Sequence, residues 1–273
     1  MGKVIVSGPF DDLRSHHVRF LEEASKLGRV HVLLWSDETT SALTELAPKF
    51  PLDERLYILQ AIRYVDQITM ARGSAESEII DQVDDLQPQT WVMGELSKNE
   101  QFQAYCESHD VSCKILLNAD LLNSPFPPRP NRLKPTKRKQ AIVTGCFDWL
   151  HSGHVRFFEE VSQLGALYVM VGHDANVRLL KGEGHPQFSQ DERRYMVQSI
   201  RHVEQALITS GRGWMDAEPE IAKLKPDLYV VNEDGDRPEK RSFCEERGIE
   251  YVVLKRLPRE GLLRRESTTL RGF

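Results

Sequence analysis

Two kinds of apolar spacing alternate along this chain. Short unbroken runs rich in Val, Ile and Leu read as strands buried on both faces: Val4–Ser7, Val30–Trp35, Trp91–Met93 and Cys113–Leu117 in the first half, and Ala141–Thr144, Leu167–Gly172, Leu228–Val231 and Tyr251–Leu254 in the second. Ile68–Thr69 and Ala206–Thr209 are shorter members of the same series. Between them, apolar residues recur three and four apart, which predicts amphipathic helices, most clearly over Val18–Leu27 and Val155–Leu164. Strand and helix alternating in this order predict an α/β chain whose parallel sheets are covered by helices on both faces.

The two halves also repeat each other. GPFDDLRSHHVRFLEEASKLG (Gly8–Gly28) aligns without gaps on GCFDWLHSGHVRFFEEVSQLG (Gly145–Gly165), with His17 facing His154. DERLYILQAIRYVDQ (Asp53–Gln67) matches DERRYMVQSIRHVEQ (Asp191–Gln205). Duplication of one unit accounts for both blocks. The proposed boundaries are a first domain over 1–123, a linker over 124–140 and a second domain over 141–273. The linker, SPFPPRPNRLKPTKRKQ, has five prolines and six basic residues with no acidic one, so it reads as a solvated, semi-rigid connector.

Composition narrows the setting. The 273 residues carry a formal charge of −5, which gives no general attraction to nucleic acid or an anionic membrane. No apolar run approaches a membrane span. MGKVIVSG goes straight into a strand pattern without a secretory leader, and the four cysteines show no CxxC spacing, so a reduced cytoplasm is expected. No zinc-type ligand spacing occurs, and no protein-held metal is expected.

The stretch richest in chemistry is Ala141–Glu160: a buried strand, a tight turn and a helix start at which His151 and His154 stand. A helix start exposes unpaired N–H groups and the positive end of the dipole, and imidazoles three residues apart share one side of the turn. Gly153 lets a polyphosphate approach the backbone. The run GCFDWLHSGH resembles the HxGH signature of the nucleotidyltransferase superfamily that includes the cytidylyltransferases, with its GxFDxxH lead. That resemblance implies two tandem Rossmann-like, doubly wound domains, with ligands at the carboxyl ends of the strands.

It also implies roles. His151, His154 and Lys181 (in LLKGEG) are the expected catalytic residues, donating to the phosphates of a nucleoside triphosphate. Gly145, Cys146, Phe147, Asp148, Gly153, Arg201, Asn232, Asp234, Ser267, Thr268 and Thr269 are the expected nucleotide-binding residues, the last three through the family's STT-type ending. Asp148 is read as ordering the turn rather than binding metal. Magnesium is expected to arrive on the triphosphate. Asp191-Glu192-Arg193 stands in both halves, which favours structure over catalysis.

The two copies differ where the chemistry lies. The first has Arg14 at the place of His151 and His16 at that of Gly153, no counterpart to Lys181-Gly182, and no STT ending. It is therefore expected to keep the fold and to have lost turnover. The expected activity is transfer of a nucleoside monophosphate, with CTP preferred as donor, to a phosphorylated small alcohol or sugar, releasing pyrophosphate. The alternatives are an ATP-dependent adenylyltransferase of sugar-phosphate or FAD-synthetase type, and a non-catalytic nucleotide-binding protein. Family members dimerise through the signature-bearing face, so pairing of the two copies within the chain, or a homodimer, is implied.

Overall fold

The structure, a computed structural model, describes residues 2–95, 100–130, 132–134, 136–267 and 270. The chain forms two compact units, Met1–Pro125 and Phe126–Phe273. The first runs β1 (Lys3–Gly8), α1 (Ser15–Ser25), β2 (Arg29–Trp35), α2 (Asp37–Thr44), α3 (Leu52–Ala61), β3 (Gln67–Ala71), α4 (Glu76–Leu86), β4 (Thr90–Gly94), α5 (Glu100–Ser108), β5 (Ser112–Leu116) and α6 (Asn118–Asn123). The second runs β6 (Gln140–Gly145), α7 (Ser152–Leu164), β7 (Ala166–Val171), α8 (Asp174–Lys181), α9 (Gln190–Gln198), β8 (Val203–Ile208), α10 (Glu218–Leu224), β9 (Leu228–Asn232), α11 (Pro238–Glu246) and β10 (Glu250–Leu254).

Each unit has one five-stranded sheet, ordered β3-β2-β1-β4-β5 and β10-β9-β6-β7-β8, with every neighbouring pair parallel. The order turns back between β1 and β4, and again between β6 and β9, which opens a crevice at the carboxyl ends of those strands. The alternating apolar runs thus fold as the sequence predicts, into doubly wound α/β units. Ala166–Val171 is buried along its whole length, as a strand covered on both faces must be. The helix expected over Val155–Leu164 starts three residues earlier and buries Val155, Phe158 and Val161 on one face.

The glycines that close the first aligned block mark a close backbone approach in both units. A Cβ on Gly28 would lie 2.3 Å from the Gly2 carbonyl, and one on Gly165 would lie 2.4 Å from that of Lys139. Only glycine lets each helix return this tightly to its sheet.

The linker departs from expectation. Its residues from Phe126 onward belong to the second unit, where the Phe126 ring packs 5.4 Å from that of Tyr195 and the Pro127 carbonyl accepts from Arg194. Proline takes away donors but leaves carbonyls and rings free to dock, and that is how this segment is held.

Candidate active site

The buried arginine of the DER block shapes the loop ahead of the helix. Arg193, 1% exposed, donates from Nε to the Phe188 carbonyl (2.9 Å), from Nη1 to Cys146 O (2.5 Å), and from Nη2 to Gly172 O and Asp174 Oδ1 (both 2.7 Å). Arg55 repeats the arrangement in the first unit, reaching the carbonyls of Phe50, Pro9 and Trp35 and the carboxylate of Asp37. Asp148 Oδ1 accepts the N–H groups of Gln187 (2.8 Å) and Phe188 (3.1 Å), and Asp11 takes those of Lys49 and Phe50 in the same way. Each carboxylate ties its turn to the loop that follows.

This frame holds Phe147 at φ 52°, and Phe10 at φ 45° in the first unit. A non-glycine residue there costs about 1–2 kcal/mol. Burial of the Phe147 ring, 5.2 Å from both His154 and Phe158, offsets that cost.

His151 is the N-cap of α7, and its Nδ1 accepts the Gly153 N–H at 3.1 Å. The ring proton therefore sits on Nε2, which is buried without a partner. The His154 ring stacks 3.9 Å away, with its Nδ1 also buried and unpartnered. Burial, with the charges of Arg256 and Arg265, lowers the His151 pKa to about 3. Burial, then His151, Arg256 and Lys181, lowers that of His154 well below the ordinary value, against a backbone hydrogen bond with Trp149. Both imidazoles are neutral near pH 7. A Cβ on Gly153 would come within 3.0 Å of the His151 ring, so a side chain there presses on the donor.

A cleft of about 200 Å³ at the turning point of the sheet gathers Gly145, Cys146, Phe147, Asp148, His151, Gly153, His154, Lys181, Asn232, Asp234 and Ser267. Lys181 is the last residue of α8, followed by Gly182; Thr44 closes α2 at the same place in the first unit. Ser267 Oγ donates to the Trp149 carbonyl at 3.2 Å. Thr268 and Thr269 lie outside the described residues. Burial raises the Cys146 pKa and keeps a thiol rather than a thiolate in the cleft. Arg201 is not among the lining residues. It is exposed and precedes β8, at the amino edge of the sheet opposite the cleft.

Sequence reasoning missed Lys240 and Arg256, which also line the cleft. Lys240 Nζ donates to Gly235 O at 3.2 Å, and burial lowers its pKa. Arg256 pairs with Asp234 and donates to Arg265 O at 3.3 Å. The one signal for Arg256 was a basic residue just beyond the last strand. His173 caps α8: its Nδ1 accepts from Asn176 N, and its Nε2 lies 2.8 Å from Gly211 O.

In the first unit the corresponding loop carries two salt bridges. Arg14 Nη2 meets Asp12 at 2.8 Å, Lys49 meets the same carboxylate at 3.1 Å, and His17 Nδ1 accepts the Arg14 N–H.

A parallel sheet with a helix-capped, cation-lined cleft at its turning point is the setting in which α/β proteins bind nucleotide phosphates. The family model described as cytidylyltransferase-like matches residues 142–256. An FAD synthase from Aciduliprofundum boonei is 34% identical over 42% of this chain and 76% of its own length. The bifunctional protein HldE of Campylobacter concisus is 36% identical over 36% of this chain, which spans only 20% of that protein. A lipopolysaccharide core biosynthesis protein from Thermoplasma volcanium matches at TM-score 0.38 and 25% identity, over 43% of this chain and 97% of its own. Through its second unit, the chain belongs to the cytidylyltransferase-like family of nucleotidyltransferases. No helix among the described residues is long and apolar enough to cross a membrane.

Proposed function

We propose that the second unit transfers a nucleoside monophosphate from a nucleoside triphosphate to a phosphorylated small molecule. The observation that carries this reading is the buried, unpartnered Nε2–H of His151 at the start of α7, in a cleft shared with Lys181 and Arg256. A phosphate oxygen is the acceptor that such a donor lacks. An acceptor phosphate oxygen attacks the α-phosphorus, a new P–O bond forms, and the bond to the bridging oxygen breaks to release pyrophosphate. The nucleophile is already an anion, so positioning and charge stabilisation suffice.

His151 and His154 serve the α- and β-phosphates, and Lys181 follows the moving charge. Asp148 is held by loop amides and Asp234 by Arg256; magnesium carried on the triphosphate would supply neutralisation of its charge. CTP is the donor that the signature resembles. ATP is the second reading, favoured by relatives named FAD synthase, since FAD contains an adenylate joined to FMN. The first unit keeps the frame and has lost turnover, in line with Arg14, His16 and Thr44 at the altered positions.

The test is pyrophosphate release with each triphosphate against glycerol phosphate, phosphoethanolamine, sugar phosphates and FMN. Loss of His154 (His154→Ala) is expected to lower turnover by about 10²-fold or more. His17→Ala is expected to leave it intact. Equal release from wild type and His154→Ala overturns the assignment, and competition between CTP and ATP decides the donor.

A further inference from the structure

Lys240 stands where packing alone would place an apolar residue. It is the third residue of α11, as Phe102 is the third of α5, and the residues three and four further on are buried in both helices, Phe243 and Cys244 matching Tyr105 and Cys106. The strands beneath match too, since Tyr229 lies opposite Ile142 as Trp91 lies opposite Ile5. In the first unit the Phe102 ring packs 4.8 Å from that of Trp91 and is buried. In the second the ammonium of Lys240 lies 5.8 Å from the centre of the Tyr229 ring, and the side chain lines the cleft. A cation in the first turn of a helix opposes the helix dipole, and taking it out of water adds to the cost.

The carboxylates around Lys240 are engaged by other residues. Asp234 pairs with Arg256, Asp236 accepts from Nε (3.0 Å) and Nη2 (2.6 Å) of Arg241, and Asp216 accepts the Thr209 hydroxyl at 2.7 Å. Among the described residues the hydrogen bond of Lys240 goes to the Gly235 carbonyl alone. Its remaining ammonium protons are left for a ligand in the cleft.

The sheet order sets this lysine apart from Lys181. Lys181 closes α8, which follows β7, whereas Lys240 lies in α11, which follows β9, and β6 runs between those two strands. In an in-line displacement the attacking and leaving oxygens lie on opposite sides of the phosphorus. With Lys181 on the side of the departing pyrophosphate, the cation across β6 faces the entering nucleophile.

We propose that Lys240 binds the phosphate of the acceptor substrate, an inference that rests on the transfer reaction proposed for the second unit. The lysine then acts as a point charge that brings one phosphate up to another against their mutual repulsion.

The test is a titration of the full chain with inorganic phosphate, followed by phosphorus NMR, after the donor site has been filled with the α,β-methylene analogue of CTP or ATP. Inorganic phosphate is expected to bind the loaded chain saturably, and Lys240→Met to weaken it about tenfold or more. Affinity for the analogue itself is expected to change less than about twofold, which also reports that the variant is folded. Lys240→Arg, which keeps the charge, is expected to retain phosphate. Failure of inorganic phosphate to bind the loaded chain, equal binding to wild type and Lys240→Met, or a loss that falls on the analogue instead overturns the proposal. Failure of both analogues to bind wild type would overturn the transfer reaction, and this inference with it.

Discussion

Acid should destabilise each unit through its buried imidazoles, His151 among them in the second unit and His17 in the first. His151 in the second unit and His17 in the first both have their pKa lowered from 6.5 to about 3, with burial the leading cause. Between those two values the unfolded chain binds a proton that the folded chain refuses. Stability is therefore fully present above about 6.5 and is lost as the pH falls through the window towards 3. One such group costs about 2 kcal/mol on going from pH 7 to pH 5, since 1.5 pH units below the unfolded value weigh about 1.4 kcal/mol each.

The assay is urea unfolding at the two pH values, for wild type and for His151→Asn. Asparagine keeps an N-cap for α7 and removes the titration. The pH-dependent loss in the variant is expected to be smaller than in wild type by about 2 kcal/mol. His17→Asn should do the same for the transition of the first unit. An unchanged pH dependence in His151→Asn would refute the claim that this enclosed imidazole is neutral in the folded chain.

Two further outcomes follow from the same geometry. Gly153→His, which installs the first copy's residue 3.0 Å from the His151 ring, should lower pyrophosphate release by about 10²-fold or more, with the melting temperature little changed. Wild-type turnover in that variant would overturn the role given to Gly153 in the proposed transfer. Arg193→Met should cost the second unit about 3–5 kcal/mol in denaturant melts, because three carbonyls and the Asp174 carboxylate lose their donor; a loss below 1 kcal/mol would count against the frame.

Much of this was legible in the chain. The unbroken apolar runs gave the strands, because only strands buried on both faces need residues such as Leu167–Val171 in succession. The doubled DER block pointed to structure, and Arg55 and Arg193 hold matching sets of loop carbonyls. The cleft's second wall was not legible. Lys240 and Arg256 come from the helix and loop beyond β9 and β10, where a basic residue looks the same whether it faces solvent or a pocket. Arg201 misled for the opposite reason: a familiar local string places it at the wrong edge of the sheet. The docked linker was hidden too, since Arg132 and Lys134 bond Gln205, 73 and 71 positions away.

The arginine that ties the loop to the sheet touches neither the helix-capping imidazole nor the terminal lysine of α8. Architecture and reactivity are consequently inherited on separate residues. Substitution in one set leaves the other standing.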